Sequence, residues 1–120
     1  RMPTEGIEFD LIVSIVEKGR ACEVVAASKK AGAEGGTILS GRGSGIHDNK
    51  KVFGIILEPE KELVLTLVDR SIASHTMQAI SSALNLDQPG NGITFLLKVE
   101  ETAGICHLCH LQKIIKPEKA

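Results

Sequence analysis

From Phe9 to Val16 the chain alternates with a period of two, Phe9, Leu11, Val13 and Ile15 on one side, Asp10, Ile12, Ser14 and Val16 on the other. Apolar residues on both faces predict a central strand. Lys18-Gly19 breaks this pattern, and Arg20 to Ala31 sets Ala21, Val24, Val25 and Ser28 on one helical stripe opposite Glu23, Lys29 and Lys30, with Gly32 as a natural stop. Thr37 to Gly41 is a short β-prone segment between glycines, and Arg42 to Lys51 has no apolar period and reads as a loop. Val52 to Leu57 is too apolar for a solvated loop; it either extends a strand or docks on a partner. Glu58-Pro59-Glu60-Lys61 separates it from Leu63 to Val68, a second clear strand pattern. Ser71 to Leu86 places Ile72, Thr76, Ala79, Ile80, Ala83 and Leu84 at helical spacing, with Asp69 or Ser71 as the cap. After a turn-rich Asp87 to Gly92, Ile93 to Val99 is the last strand, with Phe95, Leu97 and Val99 on one face.

The resulting order is βαββαβ. Two βα units with both helices on one face of an antiparallel sheet form an α+β, ferredoxin-like split-βαβ arrangement. The opposite face is left bare and should carry Ile12, Val16 or their neighbours, more apolar area than a monomer leaves in water. A homo-oligomer in which loops of adjacent subunits meet is the expected remedy.

At 120 residues the chain is about one domain, with a core at about 8–101, a mobile loop at about 42–61 and a C-terminal segment at 104–120. Its formal net charge of -1, with no Trp, no Tyr and 3 Phe, provides neither the electrostatic grip nor the stacking platforms of a nucleic-acid binder. No apolar run is long enough to span a membrane and no signal core is visible, so a cytoplasmic protein is expected. The three cysteines, Cys22, Cys106 and Cys109, are sparse and odd in number, which fits thiols in a reducing compartment.

Candidate chemistry concentrates in two glycine-rich stretches, Gly35 to Gly45 and Gln88 to Phe95, each at the start or end of a strand. Glycine admits positive φ and lets bare N–H groups approach an anion, so two such bends brought together make a phosphate cradle. The first stretch is no Walker loop, because it lacks a Gly-Lys-Ser/Thr ending and no helix follows; its alternative is a plain structural turn. Arg42 is the side chain there able to fork onto a phosphate, surface solvation being the other reading. Cys106-His107-Leu108-Cys109-His110 offers two thiols and two imidazoles for a soft metal, a redox pair, or an ordinary packed tail. His47 and His75 are isolated, and no Ser-His-Asp set or carboxylate pair is spaced for catalysis, so no enzymatic activity is expected.

The wording of the loops resembles the PII signal-transduction proteins, and more closely their PII-like relatives, over about Phe9 to Glu101. The likeness rests on Ala31-Gly32-Ala33-Glu34-Gly35-Gly36-Thr37, Gly41-Arg42-Gly43, Glu60-Lys61-Glu62, Gly90-Asn91-Gly92 before Ile93-Thr94-Phe95, and Val99-Glu100-Glu101. The resemblance implies a homotrimer with bare sheet faces turned inward and an adenine nucleotide in each cleft between subunits. Gly36 and Thr37 of one subunit would line the cleft with Gly41, Arg42, Gly43, Gly90, Asn91 and Gly92 of its neighbour, and Lys61 and Glu62 would lie near sugar or phosphates. The long loop, through Ser44, His47, Lys50, Lys51 and Phe53, would reach a regulated membrane transporter or metabolic enzyme, drawing the protein to the inner membrane face when the partner is a transporter.

Departures from the family pattern narrow the ligand. Ungapped matching places Gly104 and Cys106 where nitrogen regulators carry two phosphate-holding arginines, Ile93 where they carry a basic residue, and Gly45 where a glutamine helps hold magnesium and 2-oxoglutarate. ADP, AMP or a cyclic nucleotide is therefore favoured over Mg-ATP with 2-oxoglutarate, and no cofactor is obligatory. Without Tyr the tyrosine nucleotidylation of some relatives has no acceptor. A metal or thiol-redox sensor acting through Cys106, His107, Cys109 and His110 is the alternative function; an amino-acid-binding ACT-type domain, which shares the element order, is a third.

Overall fold

The computed structural model describes residues 6–44, 50–52 and 55–104. Its elements are β1 (Phe9–Glu17), α1 (Ala21–Lys30), β2 (Thr37–Arg42), β3 (Lys50–Val52), β4 (Ile55–Leu57), β5 (Glu60–Asp69), α2 (Arg70–Leu84) and β6 (Gly92–Val99). Four strands form one sheet in the order β2-β5-β1-β6, antiparallel throughout. With both helices packed on this sheet, the architecture is the ferredoxin-like split-βαβ fold expected from the pattern.

Two elements differ from the expectation. β5 begins at Glu60, so Glu60-Lys61 is strand rather than separator. Its early residues are held by cross-strand pairing, Arg42↔Glu60 and Gly41↔Lys61, which leaves no trace in local alternation. Lys50 and Lys51, expected as loop, are strand: Lys50–Val52 pairs with Ile55–Leu57 as a separate two-stranded ladder.

Register decides which side of the sheet each residue serves. Ile12, Ser14 and Val16 of β1 and Val64, Thr66 and Val68 of β5 lie under the helices and are buried. Against them pack Ala21, Val24, Ala27 and Ser28 of α1 and Ala73, Thr76, Ile80 and Leu84 of α2. The α1 stripe thus runs through Ala27, with Val25 at its margin. Ser14 and Thr94 satisfy each other across β1 and β6 at 3.0 Å. Ile12 and Val16 belong to this covered side, because a period-two strand can give only one of its two apolar sets to the helices. Their neighbours Leu11, Val13 and Ile15 form the bare face.

That bare face is apolar along its length. Leu11, Val13 and Ile15 are flanked by Leu67, Leu65 and Leu63 on β5 and by Leu97, Phe95 and Ile93 on β6, with Leu39 beyond on β2. Leu39, Leu67, Ile93, Phe95 and Leu97 are each 37–55% exposed. A contiguous surface of this kind marks an interaction site.

The helix ends are closed by residues distant in sequence. α1 has no side-chain cap of its own at Arg20; instead the Glu62 carboxylate accepts from the Gly19 and Ala21 N–H groups, each at 2.9 Å. A carboxylate there satisfies orphan donors and complements the helix dipole. Glu62→Ala should therefore lower unfolding stability by about 1 kcal/mol, read from urea denaturation, and Glu62→Gln by less, because an amide oxygen still accepts. At the same end of the helical layer, where Arg20 Nη1 reaches the Leu84 carbonyl at 3.4 Å, α2 stops at Asn85 in the left-handed conformation (φ 52°, ψ 52°), with Leu86 N–H donating to the Ser81 carbonyl.

Candidate functional site

Both glycine stretches lie at the same end of the sheet but at opposite edges. Gly41 of β2 pairs with Lys61 of β5, Lys61 with Glu17 of β1, and the adjacent Val16 with Gly92 of β6. Three strand spacings, about 14 Å, therefore separate the two bends. Within one protomer they do not share a pocket. Gly36 and Thr37 sit on the outer edge nearer the middle of the sheet, Thr37 opposite Leu65.

Each glycine has its own structural demand. A Cβ on Gly36 would stand 3.2 Å from Val64 Cγ1 and 3.3 Å from the Leu65 carbonyl oxygen, so this residue presses directly on β5. A Cβ on Gly41 would stand 3.3 Å from Leu63 Cδ1, and Gly43 N–H closes the base of the long loop on the Pro59 carbonyl at 3.2 Å. Gly90 and Gly92 both have positive φ, +84° and +130°. Between them Asn91 donates from Nδ2 to the Asn85 and Leu84 carbonyls at 2.9 and 3.2 Å. The second bend is thereby fastened to the end of α2, and the Asn91 amide is engaged within the protomer.

The charged residues gather beside the first bend. Lys18, Ser40, Gly41, Arg42, Glu60, Lys61 and Glu62 line an open concavity of about 360 Å³. Lys18 Nζ lies 2.6 Å from Glu60 Oε2, and Arg42 is opposite Glu60 in the register. A hydrogen bond from Lys18 lowers the Glu60 carboxyl pKa below its usual range, with the nearby Arg42 acting in the same sense, and the Lys18 ammonium is pushed up chiefly by its hydrogen bond to Glu60. The pair's small contribution to stability is present between the ordinary Glu and Lys ranges; it fades as pH falls through the lowered Glu60 value and as pH rises through the raised Lys18 value. Glu62 faces the same hollow with its carboxylate already holding the start of α1. Three cations and two carboxylates therefore line the hollow.

A second hollow, about 340 Å³, is lined by Gly6, Ile7, Glu8, Asp69, Arg70 and Ser71. Its cation is committed: Arg70 makes 2.8 Å ion pairs with both Glu8 and Asp10 and donates to the Phe9 carbonyl, tying α2 to the start of β1.

Of the residues expected from sequence, Gly41, Arg42, Lys61 and Glu62 meet in one hollow, while Gly90, Asn91 and Gly92 lie across the sheet. Ser44 is exposed just beyond β2, and the backbones of Lys50 and Lys51 lie in β3. His47, Phe53, Cys106, His107, Cys109 and His110, and with them the expected partner contacts at His47 and Phe53 and the metal or redox reading of the Cys-His cluster, lie outside the described residues. Among the described residues no group of three or more His, Cys, Asp or Glu is placed to hold a metal ion. His75 is exposed on α2, as an isolated helix histidine should be. Lys18 and Glu60 were not singled out by their sequence context. A Lys-Gly break and an acidic run before a strand are common, and only folding brings them together.

No helix among the described residues is long and apolar enough to cross a membrane. Comparison with curated proteins gives no match. The family model described as nitrogen regulatory protein P-II matches residues 9–106, a span that takes in all four strands of the main sheet, both helices and the long loop. With the split-βαβ topology, the long insertion between β2 and β5 and this match in agreement, the chain belongs to the nitrogen regulatory protein P-II family.

Proposed function

We propose that this protein is a non-enzymatic P-II-type regulator that binds an adenine nucleotide between the subunits of a homotrimer and controls a transporter or metabolic enzyme through the 42–61 loop. The observation that carries the reading is the placement of two glycine bends at one end but at opposite edges of a sheet whose free face is apolar. A closed ring that turns this face inward sets the β2 edge of one protomer beside the β6 edge of the next, so that bends too distant within a chain become neighbours between chains. Bare amides of the Gly90 and Gly92 bend then face the Arg42 side of the adjacent subunit, an arrangement suited to phosphate.

ADP, AMP or a cyclic nucleotide fits this site better than Mg-ATP with 2-oxoglutarate, because the described hollow has little excess positive charge. Nucleotide reaching Arg42 contacts the residue at which the long loop departs, and it shifts the loop only to the extent that it binds one loop arrangement better than another. The partner then reads that arrangement, at the membrane face where the partner is a transporter. Calorimetric titration with ATP, ADP, AMP and cyclic di-AMP tests the reading. Saturable heat is expected for at least one of the less charged ligands and weaker binding for ATP; absence of binding by all four would remove it.

A further inference from the structure

The foot of the long loop is fastened by three contacts of different kinds. Arg42 and Glu60 are opposite in the β2–β5 register, Gly43 N–H donates to the Pro59 carbonyl, and Lys18 Nζ contacts Glu60 Oε2 at 2.6 Å from the turn that follows β1. The two backbone contacts lie within the β2–β5 hairpin itself. The third reaches outside it, to the turn that starts α1, and is made by side chains 69% and 57% exposed. An exposed pair of this kind is exchanged for another partner at little cost.

We propose that Glu60 is an internal competitor for the ligand's phosphate. In the empty protein its carboxylate occupies Lys18 and screens Arg42, and a mono- or diphosphate entering the hollow displaces it, takes Lys18 as a further binding residue and frees the first residue of β5 from its tether to the turn after β1. The inference rests on the phosphate-binding reading of this site and adds two residues to it. It also gives a reason for ligand choice. Glu62 cannot move aside without uncapping α1, so every ligand meets one fixed carboxylate, whose repulsion grows with the ligand's charge and weighs more against ATP than against ADP or AMP. Loop release follows from the same exchange, because Glu60 is where the loop rejoins the sheet.

Titrations of inorganic pyrophosphate and of ADP into the wild-type protein, Glu60→Gln and Lys18→Gln test this at two salt concentrations. Glu60→Gln should tighten both ligands about three- to tenfold, and Lys18→Gln should weaken both by a similar factor with a shallower salt dependence, since one cation no longer contributes to the attraction. A merely structural role for the pair would lower thermal stability in both variants and leave the salt dependence unchanged. Unchanged or weaker pyrophosphate binding in Glu60→Gln, or failure of pyrophosphate to bind any of the three proteins, overturns the proposal. If pyrophosphate follows the expected order but ADP binds no more tightly than pyrophosphate, the competitor role stands and the adenine assignment falls. If ADP binds all three proteins alike, the adenine assignment stands and the competitor role falls.

Discussion

Gly92→Ala should destabilise the protein by about 3 kcal/mol or more, enough to bring a small domain close to unfolding at 37 °C. Two costs combine. At φ +130° an L-residue is strained, and the added Cβ would stand 2.5 Å from the Ile15 carbonyl oxygen and 3.1 Å from Val16 Cγ1. Neither neighbour can retreat: Ile15 and Val16 belong to β1, the central strand, and Val16 is fully buried. Gly90→Ala is the comparison, because it changes the same bend at φ +84° with nothing within 4 Å of the new Cβ. It should cost only about 1 kcal/mol, the backbone penalty alone. Urea denaturation of both variants separates the two effects; equal stability losses would show that the close approach to β1 is not what requires glycine.

If the proposed ring forms, Phe95→Glu should leave the protein a monomer with its fold in place. Phe95 is 37% exposed on the bare face, directly opposite Val13, with Leu97 and Ile93 two residues to either side. Completing the burial of each such side chain is worth about 1 kcal/mol, from about 1.5–3 kcal/mol for full burial. A carboxylate buried without a partner in that surface costs several kcal/mol per copy, and a closed ring repeats the cost in every protomer. Because the substituted side chain lies on the side of the sheet away from the helices, the core of Ile12, Val16, Val24, Val64, Ile80 and Leu84 is untouched. Sedimentation velocity reads the result, with Ser74→Glu on the exposed surface of α2 as the control that should leave assembly intact. A wild-type protein that sediments as a monomer, or a Phe95→Glu variant that still assembles, would mean that this face serves another purpose.

Much of the architecture was legible from alternation and from breakers. β1, α1, α2 and β6 have a clear period and a clear stop, and their observed bounds lie within a residue or two of the pattern. What the pattern could not decide was which of two sets on β1 faced the helices. Leu11, Val13 and Ile15 form the more apolar set, yet it is Ile12, Ser14 and Val16 that lie under the helices, a choice made by packing against Ala21, Val24, Ile80 and Leu84. The start of β5 at Glu60 was hidden for a related reason. Glu60, Lys61 and Glu62 are poor strand formers by themselves and are held by pairing with Arg42, Gly41 and Ser40.

The site divided in the same way. The two glycine bends were visible from their residue types and Arg42 from its place in the first of them, whereas Lys61 entered only through the family resemblance. The roles of Glu62 as the cap of α1 and of Asn91 as the clamp on α2 were not visible, since each depends on a partner far away in sequence or on a turn's three-dimensional course. Both residues do structural work within the protomer that a family motif does not announce. Lys18–Glu60 is the same kind of contact, long in sequence and short in space.

The proposed nucleotide site is completed by a second protomer, and the most direct test is a calorimetric titration of ADP into the wild-type protein and into Phe95→Glu under identical conditions. Saturable binding approaching one ADP per chain by the wild type, lost in the dissociated variant whose fold is intact by circular dichroism, is the predicted outcome. Equal ADP affinity in the monomeric variant would contradict it, because a single chain would then hold the nucleotide with its two glycine bends still on opposite edges of the sheet.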